Sequence, residues 1–170
     1  MSADTDPFAL FDLPRRHAVG RDAIEARYLE LSRAAHPDNV VGEGTAARRA
    51  AVERASAINA AYRVLRDPTL RAEALVKLGG LDLDSSDPER GAPHPSQEFL
   101  LEMIDLRERL EDGGPDGLAA LRDDVEARGE AALDAAIAAL DAGEVRRAAE
   151  HLIARRYFQR FLEETEASAP

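Results

Sequence analysis

Residues 21–66 decide the fold, and they read RDAIEARYLELSRAAHPDNVVGEGTAARRAAVERASAINAAYRVLR. Apolar side chains recur at helical spacing on both sides of the central His36-Pro37-Asp38. They form two stripes: Ile24, Tyr28, Leu31 and Ala35 in the first, and Ala51, Ala55, Ile58, Tyr62 and Leu65 in the second. Pro37 ends the first helix because the residue before a proline is pushed out of the α region. The pattern predicts helices over about 21–35 and 45–66, packed as an antiparallel hairpin around an exposed loop.

The remaining sequence is also typical of helices, so the fold class is predicted to be all-α. Asp6 and Pro7 have the residue types of an N-cap and a first helical position. Asp67-Pro68 starts a further helix, with Leu70, Ala74 and Leu78 as its apolar positions and Gly79-Gly80 as its end. Proline and glycine breaks between charged residues make 81–95 a predicted linker. Helices at about 96–112, 116–142 and 144–167 then form a three-helix bundle, which gives domains 1–80 and 96–170.

Composition excludes several classes of protein. There is no cysteine, so the chain has no thiolates to hold a zinc or an iron-sulfur cluster. The net charge of −11 argues against nucleic-acid binding, and it is concentrated in residues 81–170, which carry −12. No apolar run is long enough to span a bilayer and no leader is visible, so we expect no membrane partner and a cytoplasmic location.

The predicted helix at 96–112 carries apolar residues on two opposite sides. Phe99, Met103, Leu106 and Leu110 lie within about 40° of one line and predict a core-facing seam. The other side carries Leu100, Leu101 and Ile104 together with Asp105, Glu108 and Asp112. Apolar residues rimmed by carboxylates indicate a contact surface for a basic partner. The alternative is that Leu100 and Leu101 pack beneath another helix or the linker.

The loop and its two helices resemble a J domain, and the resemblance narrows to the HscB type of J-domain co-chaperone. It is carried by Asp6–Pro14, by His36-Pro37-Asp38, by Ile58–Leu65 with Asp67-Pro68 and Leu70–Glu73, and by Phe99–Asp112. The resemblance implies a J domain followed by a C-terminal three-helix bundle. It also implies an ATP-driven chaperone of the HscA type and an iron-sulfur scaffold protein of the IscU type as partners, with no catalysis and no cofactor in this chain.

The same resemblance assigns the site residues. The chaperone-binding residues are His36, Pro37, Asp38, Arg27 and Arg33. The client-binding residues are Leu100, Leu101, Ile104, Asp105, Glu108, Asp112 and Tyr157.

Two other functions stay open at this point. Asn39 departs from the family pattern, and the charges of the second helix are mixed. The chain is therefore also compatible with a J-domain adaptor for another client, or with a helical binding module that does not stimulate a chaperone. An enzyme is disfavoured because the histidines His17, His36, His94 and His151 show no ligand spacing and no carboxylate pair stands out. No metal site is predicted.

Overall fold

The computed structural model describes residues 6–36, 44–112 and 115–167, and all its regular elements are helices. They are α1 (Pro7–Leu10), α2 (Arg21–Ala34), α3 (Thr45–Arg66), α4 (Pro68–Leu78), α5 (Gln97–Asp112), α6 (Pro115–Asp141) and α7 (Val145–Ala167). The predicted all-α class is confirmed. The chain divides into two compact units, Met1–Leu78 and Gly79–Pro170. The predicted domain boundaries at 80 and 95 stay predictions.

The first unit is built around the α2–α3 hairpin. Its core consists of fully or almost fully buried side chains from α1, the loop after it, α2 and α3: Phe8, Phe11, Val19, Ile24, Ala35, Ile58, Ala61 and Leu65. Tyr28 stacks on Tyr62 with ring centroids 4.1 Å apart. Asp6 caps α1 by accepting hydrogen bonds from the amides of Phe8 and Ala9. The two predicted stripes therefore meet as expected, and Asp6 is the predicted cap.

Two long-range hydrogen bonds attach the loop before α2 to the start of α4. The Nε2 atom of buried His17 lies 3.0 Å from the carbonyl oxygen of Pro68. Arg71 on α4, also buried, donates from a guanidinium nitrogen to the carbonyl of Val19 at 3.2 Å. These bonds hold the start of α4 against the loop before α2 within the first unit.

Of the apolar positions expected on α4, Ala74 packs against the core of the first unit, whereas Leu70 and Leu78 do not. Leu70 and Leu78 are 42% and 40% exposed, whereas Ala72 and Val76 are fully buried. Helical spacing fits both sets, so spacing alone does not identify the buried side of this helix. Gly80, with φ at 95°, follows the helix in the left-handed conformation that suits a glycine.

The second unit contains α5, α6 and α7. Its core joins all three helices through Met103, Leu106, Leu121, Val125, Phe158 and Phe161, with Phe99, Leu110, Ala154, Tyr157 and Leu162 packed at its edge. Gly129 does not break α6, which runs continuously from Pro115 to Asp141. Ser96 caps α5 by accepting a hydrogen bond from the amide of Phe99 at 3.1 Å.

The segment expected as a linker is an internally hydrogen-bonded loop. Its backbone closes on itself, with the amide of Asp82 bonded to the carbonyl of Arg90 at 2.6 Å. Leu83 is buried, and Arg156 on α7 donates to the Leu83 carbonyl and to Asp84. Prolines and glycines in this segment therefore shape turns within a folded loop, and its role as a linker stays a prediction.

Candidate functional site

Helix α5 carries apolar residues on two opposite sides, as its sequence predicted. Met103 and Leu106 are 7% and 0% exposed in the core of the second unit, and Phe99 and Leu110 pack beside them. Phe99 meets Phe158 of α7 edge to face, with ring centroids 5.5 Å apart. The inward seam is thus confirmed, and it fixes which side of α5 faces outward.

The opposite side of α5 exposes large aliphatic side chains. Leu100, Leu101 and Ile104 are 42%, 59% and 53% exposed. The carboxylates of Asp105, Glu108 and Asp112 are exposed beside them. We call these six residues the α5 outer face. Exposed clusters of large aliphatic residues are uncommon on isolated proteins and indicate a binding surface, while the rim of carboxylates favours a basic partner.

Ion pairs on both flanks of the seam hold α5 in place. On one flank Arg107 pairs with Glu164 of α7 at 3.3 Å. On the other flank Arg128 of α6 forms an ion pair with Glu102 of α5. Asp124 of α6 forms ion pairs with both Arg128 and Arg109. Sequence reading missed these ion pairs because the ones that join two helices connect residues 15 to 57 positions apart.

These ion pairs shift the pKa values of Asp124 and Arg128. The hydrogen bond from Arg128 is the largest cause that lowers the pKa of Asp124, and Arg109 adds to it. The same hydrogen bond raises the pKa of Arg128, with Glu102 contributing further. Asp124 is therefore held ionised, as an acceptor for the guanidinium groups of Arg128 on its own helix and of Arg109 on α5.

Tyr157 occupies the edge between core and surface. Its ring meets Phe99 edge to face at 5.6 Å, and its side chain is half-buried against the core. Phe99 immediately precedes Leu100 of the α5 outer face in the chain. Its predicted place in the client-binding set remains a prediction, and its contact with Phe99 gives it a packing role as well.

The predicted chaperone-binding residues lie on α2 and just beyond it. His36 is exposed at the end of α2, and Pro37 and Asp38 lie outside the described residues. Arg33 is exposed on the last turn of α2. Arg27 differs from a solvated cation, because its Nε donates to the carbonyl of Phe11 at 2.8 Å and its guanidinium pairs with Glu30 at 2.7 Å.

Two further features of the described residues bear on function. None of the helices in ranges 6–36, 44–112 and 115–167 combines the length and the apolarity that crossing a bilayer requires. Across the same ranges, no group of three or more histidine or carboxylate side chains is arranged to hold a metal ion.

Known proteins resemble this chain over both units. The family described as HSCB C-terminal oligomerisation domain matches residues 95–166. A co-chaperone protein HscB homolog of Bordetella avium is 38% identical over 133 residues, 77% of this chain and 76% of that protein. A co-chaperone protein HscB homolog of Haemophilus influenzae is 36% identical over 110 residues, 63% of this chain and 60% of that protein.

Solved structures show the same likeness. The chaperone HscB from Vibrio cholerae superposes with a TM-score of 0.74 at 28% identity, covering 96% of both chains. The human co-chaperone protein HscB superposes with a TM-score of 0.79, covering 98% of this chain and 83% of its own; at 24% identity this match concerns the fold alone.

Proposed function

We propose, from the premise that this chain belongs to the HscB family of co-chaperones, that it binds an IscU-type iron-sulfur scaffold protein and delivers it to an HscA-type chaperone. The observation that carries the proposal is the α5 outer face, where Leu100, Leu101 and Ile104 are exposed on a helix whose other side is locked into the core. A surface of this kind is suited to holding a protein client.

The client-binding unit works by burying aliphatic surface against a complementary partner. Full burial of one leucine contributes about 2 kcal/mol, so three such residues suffice for a reversible complex of moderate affinity. Asp105, Glu108 and Asp112 orient the client by pairing with its basic groups and exclude partners that carry negative charge. The scaffold carries any cluster, because this chain has no cysteine.

The first unit supplies the contact with the chaperone. In the proposal the loop His36-Pro37-Asp38 docks on the chaperone and promotes its ATP hydrolysis, with Arg27 and Arg33 on α2 adjoining the contact. The chaperone performs the catalysis, so the chain itself is assigned no enzyme activity and no cofactor. Its proposed place of action is the cytoplasm.

A binding experiment tests the client surface. The variant Leu100→Ala with Ile104→Ala is expected to weaken scaffold binding at least tenfold, measured by isothermal titration calorimetry. Leu70→Ala with Leu78→Ala is the matched control, since these two leucines on α4 have similar exposure and lie outside the α5 outer face. Equal affinities of the two double variants for the scaffold would remove the assignment of this face.

A further inference from the structure

The α5 outer face has two long edges, one beside α7 and one beside α6. Arg107 marks the α7 edge, because it pairs with Glu164 of α7 at 3.3 Å. At 100° per residue, Leu100 and Ile104 lie about 20° and 60° around the helix from Arg107. Two of the exposed aliphatic side chains of the face therefore lie toward the α7 edge.

The carboxylates of the face are concentrated toward the α6 edge. Arg109 marks that edge through its ion pair with Asp124 of α6. Asp105 and Asp112 lie about 40° and 60° around the helix from Arg109, and Glu108 lies midway between the two edges. The acidic rim that suits a basic partner therefore runs along one side of the aliphatic residues.

The α7 edge carries a cation from the neighbouring helix. Arg160 is exposed on α7, three residues after Tyr157 and four before Glu164, a spacing that puts all three on one side of the helix. Both neighbours contact α5, Tyr157 through the ring of Phe99 at 5.6 Å and Glu164 through Arg107. Arg160 is therefore level with the turns of α5 between Phe99 and Arg107, which carry the aliphatic residues of the face.

The positive charge of Arg160 is available to a partner. The described part of the chain provides no ion pair for it. Arg107, also on the α7 edge, is already paired with Glu164. Glu111 lies on the same side of α5 as Arg107, but it is seven residues beyond Ile104, which is about 10 Å along the helix axis. A carboxylate brought to the α7 edge beside Ile104 would therefore meet Arg160.

Opposite charges on the two edges distinguish the two ways in which a partner could lie across α5. We propose that Arg160 binds a carboxylate of the scaffold client and thereby fixes the direction in which the client docks. The proposal rests on the proposed client-binding role of the α5 outer face. A guanidinium group binds a carboxylate through paired hydrogen bonds, which adds geometric selectivity to the attraction. A client turned by 180° would bring like charges together at both edges, which disfavours that arrangement.

The proposal predicts an effect opposite in sign to that of the overall charge. The chain has a net charge of −11, and the carboxylates of the α5 outer face favour a basic partner. Through this long-range attraction, an added negative charge should leave client binding unchanged or strengthen it. Arg160→Glu adds negative charge beside the face, yet a contact between Arg160 and a client carboxylate requires that it weaken binding.

Isothermal titration calorimetry of the full chain with the IscU-type scaffold tests the proposal. At about 0.05 M salt, Arg160→Gln is expected to bind about threefold and Arg160→Glu about tenfold more weakly than the wild type, and both differences should shrink at about 0.5 M. Arg160→Lys keeps the charge and should bind more tightly than Arg160→Gln. Thermal unfolding of each variant, followed by circular dichroism, checks that α7 is intact.

Arg146→Glu is the matched control, because it makes the same charge change at an exposed position of the same helix. It lies fourteen residues before Arg160, about 21 Å along the helix axis. Its affinity for the scaffold should equal or exceed that of the wild type. Single Asp→Lys and Glu→Lys reversals on the scaffold surface complete the design. One of them should restore the affinity of Arg160→Glu and lower that of the wild type.

Unchanged or tighter scaffold binding by Arg160→Glu would overturn the proposal, as would equal weakening by Arg146→Glu or the absence of any restoring reversal. If Leu100→Ala with Ile104→Ala still weakens binding in that case, the proposed function stands and only the role of Arg160 is rejected. A wild type that does not bind the scaffold at all rejects the proposed function, and the role of Arg160 with it.

Discussion

The Nε atom of Arg27 on α2 donates a hydrogen bond of 2.8 Å to the backbone carbonyl of Phe11, the residue that ends α1. Helix α1 has four residues, too few for a helix to be stable without tertiary contacts. Burial of Phe8 and Phe11 holds it against α3, and the bond from Arg27 connects its end to α2. A residue that resemblance assigned to chaperone binding therefore also connects two helices.

Arg27→Ala is expected to lower the free energy of unfolding by about 1–2 kcal/mol, because it leaves the Phe11 carbonyl without its donor. Arg33→Ala, at an exposed position on the same helix, should change it by less than about 0.5 kcal/mol. Urea titration followed by circular dichroism measures both. Equal small effects would show that the Arg27 bond is not important for folding. Any loss of chaperone stimulation in Arg27→Ala must be compared with its loss of stability before it is assigned to binding.

Arg71 is a buried cation whose Nε lacks a hydrogen-bond partner in the described structure, and burial lowers the pKa of its guanidinium. Arg71→Met keeps the aliphatic volume and removes the desolvated charge, so we expect stability within about 1 kcal/mol of the wild type. Arg71→Ala opens a cavity and should cost about 2–3 kcal/mol. Thermal unfolding of the two variants compares them. A methionine variant as unstable as the alanine variant would show that the bond to Val19 outweighs the burial of charge.

Gly129 lies inside α6 with space for a methyl group. A Cβ atom there would lie 3.7 Å from Arg155 and 3.8 Å from Phe158, which is ordinary contact. Gly129→Ala should therefore raise the free energy of unfolding by about 0.5–1 kcal/mol, since alanine is the better helix former. Gly91→Ala is the opposite case, because its Cβ would collide with the carbonyl oxygens of Ser85 and Asp87. Destabilisation by Gly129→Ala in urea titration would mean that α6 and α7 cannot accommodate the added carbon.

Asp124 makes the attachment of α5 dependent on pH. Hydrogen bonds from Arg128 and then Arg109 lower its pKa, so its contribution to stability is complete above the unfolded-state pKa of about 3.9. The contribution is lost as the pH falls through the lower pKa of the folded state. Asp124→Asn should be less stable than the wild type at pH 7, and the difference should close as the pH falls through the lowered pKa of the carboxyl group in the folded protein. A difference independent of pH would indicate that the carboxylate charge is irrelevant.

Much of the fold was predictable because it depends on local patterns. Helical spacing located α2 and α3, and the cap residues Asp6 and Ser96 lie where α1 and α5 begin. The two sides of α5 could be separated for the same reason, since Met103 and Leu106 lie on the opposite side of the helix from Leu101 and Ile104.

What sequence reasoning missed depends on contacts between distant residues. Arg71 on α4 bonds to Val19, 52 positions away, and the loop at 82–92 is fixed partly by Arg156.

The most direct test of the co-chaperone assignment is the steady-state ATPase rate of the cognate HscA-type chaperone in the presence of the scaffold. The wild-type protein is expected to stimulate that rate. His36→Gln, which changes an exposed residue at the end of α2, is expected to abolish the stimulation while scaffold affinity stays unchanged. Absence of stimulation by the wild type, or full stimulation by His36→Gln, would contradict the account and leave a helical protein that binds its client without driving a chaperone.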